Sequence, residues 1–216
     1  MMTRIGFVLV LLMSACSYAN QLPIDPLIAK CRVTPHMSHN IPYPNSFTQT
    51  NNLATKTGSF VSAQGENIII IGRLMDKNCV PISNGVVKLW QADSTGKISY
   101  TPDGKDIKAN GDKNFSGTGT ASADNLGRFI FYTIYPGPST GFKKTRFVNF
   151  LAESDKQSLI TKAYFNLDTA RMDPEYTSMK SKDKVNLIFA HSVSKDLYKT
   201  YYIDIVMDYA QTNRTY

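Results

Sequence analysis

Residues Tyr201 to Met207 repeat with a period of two. Tyr201, Ile203, Ile205 and Met207 fall on one side, and Tyr202, Asp204, Val206 and Asp208 on the other. Side chains on an extended strand point alternately to opposite faces, so this run is a strand with one face buried. Short β-branched and aromatic runs recur upstream at Ile68 to Leu74, Val86 to Gln91, Arg128 to Thr133, Arg146 to Leu151, Leu159 to Phe165 and Val185 to Phe189. Turn formers separate them: Asn84-Gly85, Asp103-Gly104, Asn110-Gly111 and Pro136-Gly137-Pro138. Only Asp173 to Lys184 has loose helical character, and its charge reads as a surface excursion. The pattern predicts an all-β fold, a predominantly antiparallel β-sandwich. Trp90, Leu89, Phe129 and Phe131 are its expected core, with Trp90 filling space between the sheets.

The chain has 216 residues, 42% of them hydrophobic and 19% charged, enough for one domain with a sizeable core. Arg4, the apolar run Ile5 to Met13 and the small residues Ser14 and Ala15 read as an export signal, too short to span a bilayer as a mature helix. Two processing routes are open. Cleavage after Ala19 makes residues 1–19 a signal peptide, whereas a lipoprotein signal would end before Cys16 and anchor the chain to a membrane there. Residues 20–64, rich in Pro, Asn, Ser and Thr, read as an extended N-terminal arm, leaving 65–216 as the sandwich domain.

Export to a periplasm or bacterial cell surface places the cysteines where disulfides persist. With Cys16 spent on the signal or on lipid, Cys31 and Cys79 remain. They form either a bridge tying the arm to the domain or two free buried thiols. The formal charge of +7 is spread among acidic residues, as between Lys97 and Lys113, which reads as a solvated basic surface and gives no support to nucleic-acid binding. Phosphate-loop, nucleophile-elbow and zinc-protease motifs are missing. Asp204 and Asp208 share a strand face but are expected in solvent.

A series of segments goes further. They are Gly72 and Asp76 before Cys79-Val80-Pro81; Gly85 through Trp90-Gln91-Ala92-Asp93 to Gly96; Phe115-Ser116-Gly117-Thr118-Gly119; Asp124 through Gly127 to Phe129; Thr133-Ile134-Tyr135-Pro136-Gly137-Pro138; and Tyr164-Phe165. In order and spacing this series resembles the intradiol ring-cleavage dioxygenases, the family of protocatechuate 3,4-dioxygenase and catechol 1,2-dioxygenase. Tyr202 to Val206 resembles the family's closing strand, and Cys31-Arg32-Val33-Thr34-Pro35 the arm of exported members.

The resemblance implies a ferric iron held by two tyrosinates and two imidazoles, donors suited to Fe(III), that binds a catecholate and activates it for oxygen attack. At the positions matching those ligands this chain has Ile98, Ser139, Phe147 and Asn149. Two tyrosines lie nearby as displaced candidates, Tyr100 two residues beyond Ile98 and Tyr135 across the turn from Ser139. Tyr100 shares the strand face of Ile98 but sits roughly 7 Å further along. His36 and His39 in the arm and His191 at a strand end read as ordinary polar residues. The expectation is an exported family protein without the iron site and without a cofactor, acting as a binding or structural module. Its partner would be a small molecule, a glycan or a protein. The alternative is an active dioxygenase that cleaves a catechol-type aromatic with Fe(III) on rearranged ligands.

Overall fold

The computed structural model describes residues 31–37, 42–104, 109–138, 145–192 and 198–209. The expected signal peptide, Cys16, His39 and Ser139 lie outside the described residues. Eight strands form: β1 (Asn67–Asp76), β2 (Val86–Trp90), β3 (Thr118–Ser122), β4 (Arg128–Ile134), β5 (Phe147–Glu153), β6 (Ser158–Tyr164), β7 (Ala190–Ser192) and β8 (Lys199–Met207). Two short helices, α1 (Leu167–Ala170) and α2 (Pro174–Ser178), follow β6. One sheet has the order β4-β1-β8-β7 and the other β3-β2-β5-β6. This is the expected β-sandwich.

Alternation builds the core between the sheets. Ile68 and Ile70 of β1, Val87 and Leu89 of β2, Phe129 and Phe131 of β4, Val148 and Phe150 of β5, and Ile203 and Ile205 of β8 all point inward and are buried. Phe129 meets Phe131 and Phe150 at centroid distances of 6.0 and 6.3 Å, both edge to face. Gly72 is required here, because a Cβ at that position would enter the ring of Phe129.

Several expectations need correction. Trp90 is fully buried, but one residue beyond Leu89 it points away from the space between the sheets. The run Val185 to Phe189 is not a strand: Val185–Leu187 is a 3₁₀ turn, and Leu187 and Phe189 are buried in different clusters. Strand β3 is Thr-Gly-Thr-Ala-Ser, too polar and small for the apolar pattern, and is fixed by its ladder with β2. Pairing is predominantly antiparallel, as expected, with β1 and β8 running parallel at the centre of the first sheet. Asp204 is not a free surface carboxylate but accepts two bonds of 2.8 Å from Arg73 on β1.

The described arm is extended and seals strand edges. Beyond the end of the short β7, the Thr34 amide donates to the Val206 carbonyl and the Val206 amide to the Thr34 hydroxyl, each at 2.9 Å. Met37 bonds Ile160 on the outer strand β6. On the opposite side the Leu53 amide donates to Tyr132 of β4, and the Thr120 amide of β3 donates to Thr50. Unpaired edges template aggregation, so this covering has a physical purpose. Leu53 itself enters the core with no exposure.

Cys31 and Cys79 are disulfide-bonded, with Cα atoms 5.4 Å apart. The bridge anchors the arm beside the end of β1. Closing a loop over 48 residues is worth about 4 kcal/mol on the chain-entropy relation. Cys31→Ser with Cys79→Ser is expected to lower stability by about that amount, read from urea unfolding midpoints. Equal midpoints would show that the bridge contributes nothing.

Candidate functional site at the outer face of the second sheet

Strand β5 lies between β2 and β6, and its residues alternate between the inner core and the outer face. Phe147, Asn149 and Leu151 take the outer positions. Across the ladders Asn149 stands opposite Trp90 of β2 and Lys162 of β6, and Phe147 opposite Tyr164. This face is buried too. Met37 from the arm, Ile98 and Tyr100 from the loop after β2, and Ala170, Tyr176 and Leu187 from the segment after β6 close over Trp90, Phe147, Leu151 and Tyr164. Tyr43 and Phe47 meet Trp90 edge to face at 5.3 and 5.8 Å.

A buried carboxylate fixes the approach of Ile98. Asp93 accepts from the amides of Thr95 at 2.8 Å, Lys97 at 3.0 Å and Asp112 at 2.8 Å, and from the Thr95 hydroxyl. Burial alone would raise its pKa, but the bonds from Lys97, Thr95 and Asp112 outweigh it and hold the carboxyl below its usual range. The Asp93 carbonyl also accepts from Gly137, docking the Tyr135-to-Pro138 turn. Gly96 has φ +87°, and a Cβ there would strike the Pro138 carbonyl. Ile98 therefore meets Phe147 in one cluster, while Ser139, the next residue after that turn, falls outside the described residues.

Three of the four positions matched to iron ligands thus share one buried face. Ile98 and Phe147 are hydrocarbon, 9% and 4% exposed. Asn149 is fully buried, and neither its Oδ1 nor its Nδ2 has a hydrogen-bond partner among the described residues. The displaced tyrosines do not converge. Tyr100 donates its hydroxyl to the Pro42 carbonyl at 2.7 Å, and burial pushes its pKa far above the ordinary value. Tyr135 packs on the inner core, 4.6 Å from Phe165, with the Arg146 guanidinium 5.5 Å over its ring. His36 is exposed, and His191 belongs to β7 of the other sheet. Among the described residues no group of three His, Cys, Asp or Glu is placed to hold a metal. Two hydrocarbons, a neutral amide and a protonated phenol do not fit the ferric donor set implied by the resemblance.

The polar chemistry of this face comes from residues the sequence reading passed over. Lys162 has no exposure; its ammonium donates to Asp173 Oδ2 at 2.9 Å and Glu175 Oε2 at 3.1 Å. The Tyr164 hydroxyl donates to the same Asp173 oxygen at 2.7 Å. Asp173 Oδ1 caps α2 by accepting from the Glu175 amide. The segment expected to be a surface excursion is therefore pinned to the sheet by a buried carboxylate, with α1 preceding it. A lysine inside the apolar run Leu159 to Phe165, followed by Asp173-Pro174-Glu175 as a helix start, was the available signal.

Beside this cluster an open cleft of about 560 Å³ is lined by Arg171, Tyr176, Ser181, Lys184 and Ile188, among others. Its wall residue Tyr176 also packs on Tyr164 at 5.3 Å, and the Lys184 ammonium lies 4.9 Å over the Tyr176 ring.

Burial raises the Asp173 pKa, but the bonds from Tyr164 and Lys162 outweigh it, so the native value lies below the ordinary one. Its stabilisation is complete above the unfolded value, about pH 4, and is lost as pH falls through the lower native value. Asp173→Asn is expected to cost about 3 kcal/mol at neutral pH and to flatten the acid limb of the stability curve. Chemical unfolding across the acid range checks both. An unchanged acid limb would contradict the assignment.

A family model described as Dioxygenase matches residues 39–209. A protein of Rickettsia bellii, provisionally named a dioxygenase, is 37% identical over 139 residues, which cover 62% of this chain and 65% of that protein, just under two thirds of its length. The protocatechuate 3,4-dioxygenase beta chain of Burkholderia cepacia is 40% identical over 73 residues, covering 34% of this chain and 30% of that one. Among solved structures, an intradiol ring-cleavage dioxygenase from Tetranychus urticae aligns with a TM-score of 0.66 at 18% identity, over 85% of this chain and 98% of that one. That likeness concerns the fold. Together with the family match, the two-sheet architecture and the ordered segment series, it shows that the chain belongs to the dioxygenase family of the intradiol ring-cleavage type.

Proposed function

We propose that this chain is an exported member of the dioxygenase family that holds no ferric iron and acts as a binding or structural module. The observation that carries the reading is the packing of Ile98 and Phe147, with the unpaired amide of Asn149, on the buried face where the resemblance puts the ligands. Hydrocarbon there offers iron no donor and fills space a catechol would need. The disulfide and the apolar leader support export to a periplasm or cell surface. The cleft with Arg171 and Lys184 beside Tyr176 supports an anionic small molecule or glycan as partner.

Metal analysis and visible absorption of the protein purified after growth with iron test this reading. The expected result is far less than one iron per chain, no tyrosinate charge-transfer band and no turnover of catechol. One ferric ion per chain with that band would overturn it and favour an active dioxygenase on rearranged ligands.

A further inference from the structure

A lysine with no exposure in the middle of a strand is tolerated only when its charge is matched. Lys162 is matched by Asp173, 1% exposed in its side chain, and by the half-buried Glu175, with the Tyr164 hydroxyl on the same Asp173 oxygen. Its ammonium lies 5.4 Å over the ring of Phe147. Lys162 is also the direct cross-strand partner of Asn149, so both project from the same sheet face. Asn149 brings a buried carboxamide without a hydrogen-bond partner among the described residues. The face thus carries a positive charge bonded to two carboxylates, and the charge belongs to the chain itself.

We propose that the Lys162 ammonium is a built-in substitute for a bound metal ion, balancing one of the two carboxylate charges of Asp173 and Glu175, tying α2 to the sheet and closing this face to metals. The proposal rests on the non-iron reading and adds the device that maintains it. Carboxylate, phenol and amide oxygens are hard donors, the kind that Ca²⁺ and Mn²⁺ take. With a neutral side chain at 162 the Asp173 and Glu175 oxygens lose their cation. They then gain from an external one.

Thermal unfolding in chelator and in millimolar Ca²⁺ or Mn²⁺ tests this on the wild type, on Lys162→Met, and on Lys162→Met combined with Asp173→Asn. Lys162→Met is expected to melt on the order of 10 °C lower in chelator. Either cation should return several degrees to that variant and leave the wild type unmoved. Adding Asp173→Asn should recover part of the loss and abolish the response to metal, since Asn still caps α2. If Lys162→Met does not fold in chelator, recovery of its fold in Ca²⁺ or Mn²⁺ carries the proposal, and failure of both cations to restore it overturns the proposal. Loss in the single variant that neither cation relieves would overturn it; so would the absence of any loss, or a double variant that also fails to fold. Iron in the wild type would sink the non-iron reading whatever these variants do, whereas a cation-insensitive Lys162→Met sinks the present proposal alone.

Discussion

Strand β5 meets water on almost none of its length: Phe147 through Ala152 are all buried, although successive side chains point to opposite faces. A sheet with apolar residues on both faces must be covered twice. The first sheet supplies one cover through the Phe129, Phe131 and Phe150 core. The other is assembled from pieces far apart in sequence: the arm around Met37, the loop carrying Ile98 and Tyr100, and the helical segment carrying Ala170 and Tyr176. The placement of Ile98, Tyr100, Phe147 and Asn149 follows from this second burial. The disulfide and the Asp93 turn serve it by fixing the arm and the loop.

The second burial also explains why a charge stays inside. Lys162 occupies an outward position of β6, where an exposed strand would keep a lysine in solvent. Once the helical segment covers it, desolvation must be offset by close, well-directed partners. Asp173 and Glu175 provide them from the covering segment itself, so the ion pair both results from the cover and secures it. Coordination by tyrosinate and imidazole would answer the same need for a cation on this face with a different chemistry. Ile98 and Phe147 contribute packing there and no donor atom.

Much of the fold was legible in the sequence because β1, β2, β4, β5, β6 and β8 are β-branched and aromatic runs, with clear alternation in β8, and the turns are built from Gly, Pro, Asn and Asp. Strand β3 was not, since Thr118 to Ser122 owes its conformation to a neighbouring strand rather than to apolar pattern. The parallel pairing of β1 with β8 depends on topology, which local periodicity does not encode. Trp90 was correctly buried but on the wrong face, because nothing in a single strand says that both faces are covered. The resemblance singled out Ile98, Phe147 and Asn149; in the fold Ile98 and Phe147 pack in one buried cluster, and Asn149 shares the strand face of Phe147. Lys162 and Asp173 were missed because lysine and aspartate default to solvent, and their pairing joins a strand to a later helix start.

The central claim is that this face is closed to iron by hydrocarbon and by a resident ammonium. Crystals exposed to Fe(III) and measured at the iron absorption edge test it most directly. The account predicts no anomalous peak among Ile98, Phe147 and Asn149, with the Lys162 ammonium between Asp173 and Glu175. An anomalous peak coordinated by Tyr100, or by any tyrosine or histidine drawn to that face, would contradict it.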